Sequence, residues 1–383
     1  MGRDLDLSDS AGKARELLVF AQIVQIVPEL PPMTGGVGGY ASCLARELRE
    51  AQGISSEFLL VSTSSAKLPH TGDGFKVRHV GQHRASELCS LLADVRKKGS
   101  TVVLVHYVGY AYGRWGCPFW LIRALRRCRG EDINLPVVTM FHELFAMGPP
   151  WTTTFWTSWF QRHLTAELAR LSRACVTNRA HSARWLQRVA PRRQGRVAIF
   201  PVFSNFGEVQ QPEPLDRRAA QLVVYGDLRC AARDRPKTFE RLRRACAALG
   251  VERVAAFGVP SRLAAELGLP FNQLGRLPAD GARVLLSQSR YGFLDYFDGY
   301  LGKSGIFAAY CAVGLLPVFA SPNASEADGL RANQHYWVTE ETSTSIPLAR
   351  QQEIAQRAFA WYASHNVQRT ATAFANLIKD GRS

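Results

Sequence analysis

The chain has 383 residues, 46% of them hydrophobic and 21% charged, with 47 Lys and Arg against 32 Asp and Glu. That length exceeds one ordinary core and predicts two domains, while the composition fits a soluble globular protein and excludes a disordered or fibrous one. The formal net charge of +15 favours anionic partners: nucleic acid, phosphorylated substrates or an anionic membrane face.

Met1 to Ala14 is charged and has no apolar run, so no secretory leader is expected. The longest apolar stretch, Gly305 to Ala320, is interrupted by Gly314 and Pro317 and is too short for a membrane span. Eight cysteines stand at 43, 89, 117, 128, 175, 230, 246 and 311 with no CxxC among them. Neither a metal site nor a disulfide framework is expected, and the chain reads as belonging to a reducing cytosol.

Strand-like and helix-like runs alternate along the chain. Leu17 to Val27 reads as strand, Tyr40 to Ala51 as helix, Ser56 to Ser62 as strand, Ala85 to Lys97 as helix and Thr101 to His106 as strand. Pro118 to Cys128 is helical, Pro136 to Phe141 a strand, Phe160 to Ser172 helical, Ala174 to Thr177 a strand and His181 to Val189 helical. "FPVFSNFGEVQQPEPLDRR", from Phe200 to Arg218, then breaks the pattern as a linker or domain edge. Strands at Gln221 to Tyr225, Arg253 to Phe257, Gly292 to Phe297 and Leu315 to Phe319 follow, interleaved with helices at Thr238 to Leu249, Ser261 to Leu267, Gly281 to Ser289 and Ser304 to Val313. One long helix, about Pro347 to Ile378, closes the chain. This β-α alternation predicts α/β domains with parallel, doubly wound sheets, whose facing carboxyl ends would form a cleft.

After the first strand comes "VPELPPMTGGVGGYASCLAREL". Gly36, Gly38 and Ala41 fit a loose G-x-G-x-x-A pattern, but eight residues, three of them prolines, separate the strand from the first glycine of the pattern, which disfavours a dinucleotide-dependent oxidoreductase. The glycines permit close approach of backbone to a ligand, and the helix that starts at Tyr40 offers N–H groups to an anion. A plain flexible turn is the competing reading.

On these residues the chain resembles the GT-B glycosyltransferases, and is most similar to family four (glycosyltransferase group 1). The resemblance rests on "PPMTGGVGGYASCLARELREAQG", on His106 in "VVLVHYVGY", on "FHELFAMGPPW", "VTNRAHSARWL" and "VVYGDL", and on "LGRLPADGARVLLSQSRYGFL". It runs from Leu17 to about Ser321 and implies two Rossmann-like doubly wound domains with an interdomain cleft and a C-terminal helix crossing back to the N-domain. The expected boundaries are 15–203 for the acceptor-side domain, 204–218 for the linker, 219–350 for the donor-nucleotide domain and 351–383 for the returning helix.

What the resemblance implies for individual residues is as follows. Gly36, Val37 and Gly38 would give backbone donors to a nucleotide-sugar diphosphate. His142 would sit near the transferring sugar, and Glu143 beside it is a candidate general base; a lone His is also commonly a satisfied core residue. Arg229, Arg233 and Lys237 are candidates for a phosphate clamp, each with a solvated helix-start charge as the alternative. His106, Trp115, Trp151 and Trp156 fall on the acceptor or membrane side. Two stretches, "YGRWGCPFWLIRALRRCRG" and "GPPWTTTFWTSWFQRHL", combine aromatics with cations, which suits an anionic membrane surface. Burial of these rings in a core is the alternative, and nucleic acid is disfavoured for want of any of its usual modules.

"GYLGKSG" resembles a phosphate loop but lacks the glycine a Walker loop needs, Phe297 standing in its place. In the family resemblance the same stretch is the donor site, and aligning on Gly314 puts Leu301 and Ala309 where two glutamates usually stand. Lys303, Ser304 and Gly305 at a helix start still suit a diphosphate, with a helix cap as the equal alternative. Asp295 and Asp298 are the nearest carboxylates upstream. The expectation is a glycosyltransferase using a nucleotide-diphosphate sugar and no metal or other cofactor. Its acceptor would be a saccharide or lipid-linked glycan in bacterial exopolysaccharide or cell-surface assembly, with the protein cytoplasmic and peripheral on the inner face of the plasma membrane. The alternative is a non-catalytic GT-B-like binding or partner protein.

Overall fold

The computed structural model describes residues 22–31, 36–62, 73–81, 84–97, 101–130, 135–191, 197–226, 235–258, 267–296, 299–319, 326–338 and 345–379. Contacts divide the chain into two units: Met1–Cys175 with Val189–Arg196 and Ala371–Ser383, and Val176–Arg188 with Val197–Thr370.

The first sheet is built on β1 (Gln22–Val27), whose residues from Ile23 onward are all buried, as a strand covered on both faces requires. Helix α1 (Gly36–Gln52) packs by Tyr40, Ala41, Leu44, Ala45 and Leu48, the i, i+1, i+4, i+5, i+8 stripe of an amphipathic helix. The sheet adds β2 (Ser55–Ser62), β3 (Lys76–Gly81), β4 (Thr101–Tyr107), β5 (Val137–Phe141), β6 (Ala174–Thr177) and β7 (Val197–Ile199), in the order β3-β2-β1-β4-β5-β6-β7. Between them run α2 (Ala85–Lys97), α3 (Phe119–Gly130), α4 (Thr153–Leu171) and α5 (Ala180–Val189).

The second sheet has β8 (Ala219–Tyr225), β9 (Arg253–Phe257), β10 (Phe271–Gln273), β11 (Ser289–Leu294), β12 (Leu316–Phe319) and β13 (Trp337–Val338), in the order β10-β9-β8-β11-β12-β13. Its helices are α6 (Arg235–Leu249), α7 (Ala279–Gln288), α8 (Gly305–Ala312) and α9 (Leu348–Ala363), while α10 (Val367–Lys379) closes the chain and from Ala371 belongs to the first unit. Leu222 and Val224, Val254 and Ala256, Tyr291 and Phe293, and Leu316 and Val318 alternate along four strands and share one core cluster.

Each sheet reverses its strand order once, at β1/β4 and at β8/β11, where successive helices leave to opposite faces. A buried tyrosine spans each reversal. The Tyr112 hydroxyl lies 3.0 Å from both the Ile26 and the His106 carbonyl oxygens. The Tyr310 hydroxyl lies 3.0 Å from the Phe293 carbonyl oxygen and 3.3 Å from that of Val223. Gly292 makes room for the second ring, since a Cβ there would stand 2.7 Å from two of its carbons.

Several elements differ from expectation. Strands β3, β7, β10 and β13 were not foreseen: they have two to six residues, and three of them carry mostly half-exposed or exposed positions, so apolar periodicity is weak. Helix α4 starts two turns before the expected Phe160, because Thr152 caps it by accepting from the Phe155 N–H. The expected helix at Ser261 to Leu267 lies, but for its last residue, outside the described residues. The long closing helix is two helices. Asn366 caps α10 by accepting from the Arg369 N–H at 2.9 Å, and the Glu208 carboxylate accepts from the Val367 N–H at 2.8 Å and from the Tyr362 hydroxyl. Residues 204–218 are pinned by Arg218, which donates to the Glu213, Ser289 and Val313 carbonyls and is only 5% exposed. Burial pulls its pKa down to about 10.

Gly292→Ala is expected to displace the Tyr310 ring and destabilise the protein by about 1–3 kcal/mol, the usual range for an overpacked core, read by urea unfolding. His365, buried at the α9–α10 junction, has its pKa lowered by burial to about 4. The stability tied to its neutral form is complete above the unfolded pKa near 6.5 and is lost as pH falls toward 4. Between pH 7.5 and 5 the wild type should therefore lose about 2 kcal/mol more than His365→Gln, measured by unfolding at the two pH values.

Candidate functional site

At the β1/β4 reversal, a chain of polar side chains crosses four adjacent strands on one face of the sheet. Gln25 Nε2 donates to Ser56 Oγ at 2.9 Å. Gln25 Oε1 is 2.8 Å from His106 Nε2, and His106 Nδ1 is 3.2 Å from His142 Nε2. The strand register explains the alignment: Gln25 pairs with Phe58 on β2 and with Leu104 on β4, and His106 pairs with Met140 on β5. With side chains alternating along strands, Ser56, Gln25, His106 and His142 fall on the same side. Tyr40 of α1 closes over both imidazoles edge-on, its ring centre 5.0 Å from that of His142.

His106 and Gln25 are fully buried, whereas His142 keeps 9% exposure at the carboxyl end of β5. Burial first, and His142 second, hold the His106 pKa well below its ordinary value, so the ring is neutral. A neutral imidazole has one N–H. With the Gln25 carbonyl oxygen facing it, His106 donates through Nε2 and accepts through Nδ1, and His142 donates from Nε2. Burial likewise pushes the Tyr40 hydroxyl pKa upward. His106, expected on the acceptor or membrane side, is thus an interior residue that orients His142. Glu143 is exposed. Gly36 is exposed, with open space where a Cβ would stand, while a Cβ on Gly38 would lie 2.7 Å from the Glu29 carbonyl oxygen. The Gly38 N–H faces the Glu29 carboxylate at 3.5 Å, so that donor is turned toward the protein's own acid. Val37 is half-buried.

In the second unit, the "GKSG" turn sits between β11 and β12. Leu301–Lys303 forms a single 3-10 turn, and Ser304, 3% exposed, caps α8 by accepting from the Phe307 N–H at 3.2 Å. The Ser304 hydroxyl is therefore committed to the helix. Gly302 is a packing glycine: a Cβ there would stand 3.0 Å from Asp328 Oδ2 and 3.2 Å from the Asn178 carbonyl oxygen. Gly305 is exposed at the helix start. Lys303 and Arg179 both approach the Tyr300 ring, at 5.3 and 3.7 Å from its centre. Asp328 accepts from the Ala180 N–H at 2.8 Å and stands 3.8 Å from Arg179 Nε. Burial raises the pKa of its carboxyl, opposed by that N–H and by Arg179. Leu301 and Ala309, at the positions where the family resemblance would have glutamates, are 5% and 1% exposed.

Lys237 is exposed in the first turn of α6, and its neighbour Thr238 donates to Asp295 at the end of β11. Arg229, Arg233 and Asp298 lie outside the described residues. Trp115, Trp151 and Trp156 are 52%, 84% and 70% exposed, so they do not fill a core. Gln25, Ser56, Arg179, Tyr300 and Asp328 were not anticipated. Gln25 carried a signal, as a polar residue inside the apolar strand "QIVQIV"; Asp328 carried none, because it reaches Ala180 across 148 residues. Among the described residues, no group of three or more His, Cys, Asp or Glu side chains could hold a metal ion.

No protein-family model matches the chain, and no curated protein matches it by sequence. Solved structures do. An Escherichia coli trehalose-6-phosphate structure bound with UDP-2-fluoro glucose is 10% identical over 94% of this chain and 99% of its own, with a TM-score of 0.57. The lipopolysaccharide outer core galactosyltransferase WaaB is 12% identical over the same shares, again at 0.57. A Listeria monocytogenes protein described as a UDP-N-acetylglucosamine 2-epimerase is 12% identical over 94% and 96%, at 0.59. The fold is GT-B. In this GT-B chain the first sheet reversal bears the linked Gln25, His106 and His142, and the turn between β11 and β12 carries Tyr300 with Lys303 and Arg179 against its ring.

His106 is expected to remain neutral throughout the range from pH 7.5 to 5. Imidazole 15N shifts in a histidine-labelled sample check this, with Nε2 carrying the proton; a titrating His106 would contradict the hydrogen-bond order given above.

Proposed function

We propose that the protein is a glycosyltransferase that moves a sugar from a nucleotide-diphosphate donor to a saccharide or lipid-linked acceptor. The observation that carries the reading is the second unit's α8 start. Lys303 stands there beside Arg179 on the Tyr300 ring, and the exposed Gly305 opens the helix. Cations and helix N–H groups placed together favour a diphosphate. Lys237 adds an exposed charge at the start of α6, and Arg229 and Arg233 belong to the same reading. Gly36 and Val37, with Gly38 held against Glu29, are the further backbone donors proposed for a diphosphate. The UDP-2-fluoro glucose bound in the E. coli structure of the same fold supports a nucleotide sugar. No metal is part of the proposal.

In the transfer, the acceptor oxygen bonds to the anomeric carbon as the bond from that carbon to the diphosphate breaks, and the nucleoside diphosphate leaves. The acceptor proton needs a base. His142, held by His106 through Nε2, and the exposed Glu143 next to it are the proposed groups. Bacterial exopolysaccharide or cell-surface glycan assembly, at the inner face of the plasma membrane, is the proposed setting.

A second reading, a GT-B-like protein that binds without turnover, is favoured by one observation. Leu301 and Ala309 present no carboxylate to a ribose, and both are buried.

A thermal-shift screen against UDP-, GDP- and dTDP-linked sugars tests donor binding, since a ligand of the folded state raises the melting temperature. One of them should stabilise the protein, and Lys303→Ala should weaken that donor's binding by about 10-fold, the scale of one charge-assisted hydrogen bond. Unchanged affinity removes Lys303 from the site. Stabilisation by a donor with no product across acceptors favours the second reading, and stabilisation by none overturns the first.

A further inference from the structure

Among the described residues, nine of the eleven exposed large hydrophobic side chains lie between Tyr110 and Phe160. Rings of this size are usually removed from water, and a contiguous exposed set marks an interaction surface. On α4 the pattern is inverted from that of an ordinary surface helix. Gln161, Leu164, Thr165 and Leu168 are buried, whereas Phe155, Trp156, Trp159 and Phe160 point outward at i, i+1, i+4 and i+5. Trp159 is 75% exposed.

Helix α3 lies beside α4 in parallel. Phe119 meets Phe160 edge-on at 6.3 Å, Arg126 pairs with Glu167, and Arg129 donates to the Arg170 carbonyl at 3.2 Å, each pair 41 residues apart. The constant offset places the first residue of α3 opposite Phe160. Residues 153 to 159 of α4 therefore run about 10 Å past the start of α3, and they carry Phe155, Trp156 and Trp159.

The hydroxyls of this overhang turn back onto the helix. Thr157 Oγ1 donates to the Thr153 carbonyl at 3.0 Å and Ser158 Oγ to the Phe155 carbonyl at 2.7 Å. Polar atoms satisfied by their own backbone suit a medium poor in water. Behind the rings stand exposed arginines: Arg114, Arg123, Arg126, Arg127 and Arg162. Within residues 109–130 and 135–171 the only carboxylates are Glu143 and Glu167, and Glu167 is taken by Arg126. The surface is thus apolar at its tip and cationic behind it.

We propose that this face of α3 and α4 docks on an anionic lipid bilayer, with the first two turns of α4 entering the headgroup region. Indole and phenyl rings favour that boundary, and arginines behind them meet anionic headgroups. No crossing is implied: among the described residues no helix is long and apolar enough to span a membrane. The proposal does not depend on the sugar-transfer reading, and its test measures neither donor nor product.

The experiment uses the full chain with phosphatidylcholine vesicles, with and without phosphatidylglycerol, in a co-sedimentation series of rising salt. The protein should pellet with the anionic vesicles at low salt, release as salt rises, and show blue-shifted tryptophan emission when bound. Trp156→Ser with Trp159→Ser should lower the apparent partition coefficient by at least about 10-fold. Arg123→Glu with Arg127→Glu should remove the preference for the anionic vesicles. All four side chains are exposed, so both variants should keep the parent's circular dichroism and melting temperature. Failure to pellet with anionic vesicles at low salt overturns the proposal, as does pelleting that neither variant changes. Self-association without vesicles that the double Trp variant abolishes would assign the face to a second copy of the chain. Binding to an oligonucleotide that displaces the protein from vesicles would assign it to nucleic acid.

Discussion

A parallel sheet must send every connection across one of its faces, and where the direction of winding changes, two adjacent strands part their loops. That constraint governs both halves of this chain. Strand β1 pairs in parallel with β2 and β4, and β8 with β9 and β11. At each parting a tyrosine hydroxyl lies between the carbonyl groups of the two strands, Tyr112 in one sheet and Tyr310 in the other. A buried carbonyl without a donor is costly, so each hydroxyl stabilises the parting of its two strands. The two tyrosines come from different places in their folds, one just after β4 and one within α8, yet meet the same need.

The chemistry at the first crevice depends on keeping charge out. His106 lies among apolar strands and is bonded to an amide and a second imidazole. A carboxylate in place of Gln25 would draw a proton onto the ring. An amide instead fixes the direction of the hydrogen bonds without adding charge. The start of α8 is organised in the opposite sense, by cations. Arg179 and Lys303 share the Tyr300 ring, and Asp328 holds the Arg179 segment by accepting from Ala180.

The parallel character and the principal strands were legible because β1, β4, β5, β8, β9, β11 and β12 are short apolar runs separated by helical periodicity. The α4 start was not, because "TTTFW" is β-branched and aromatic and its helical state depends on the Thr152 cap and hydroxyls bonded to their own turn. His142 could be found from its place after a strand. Its partner could not, since the link from Gln25 to His106 spans 81 residues and exists only once the strands are in register. The role of Gly302 was equally hidden: its stretch resembles a phosphate loop, and only in three dimensions do Asp328 and the Asn178 carbonyl leave no room for a side chain.

The burial of Leu301 and Ala309 limits what those two positions can accept. In a solvated pocket, an acidic side chain can be added at little cost. Here Leu301 lies under the turn, and Ala309 belongs to a helix whose residues from Phe307 to Ala312 are all buried. A glutamate at either place would put a carboxylate into apolar packing, at a cost of several kcal/mol, on the order of the whole stability of a domain. A carboxylate at either position would require the surrounding packing to change first.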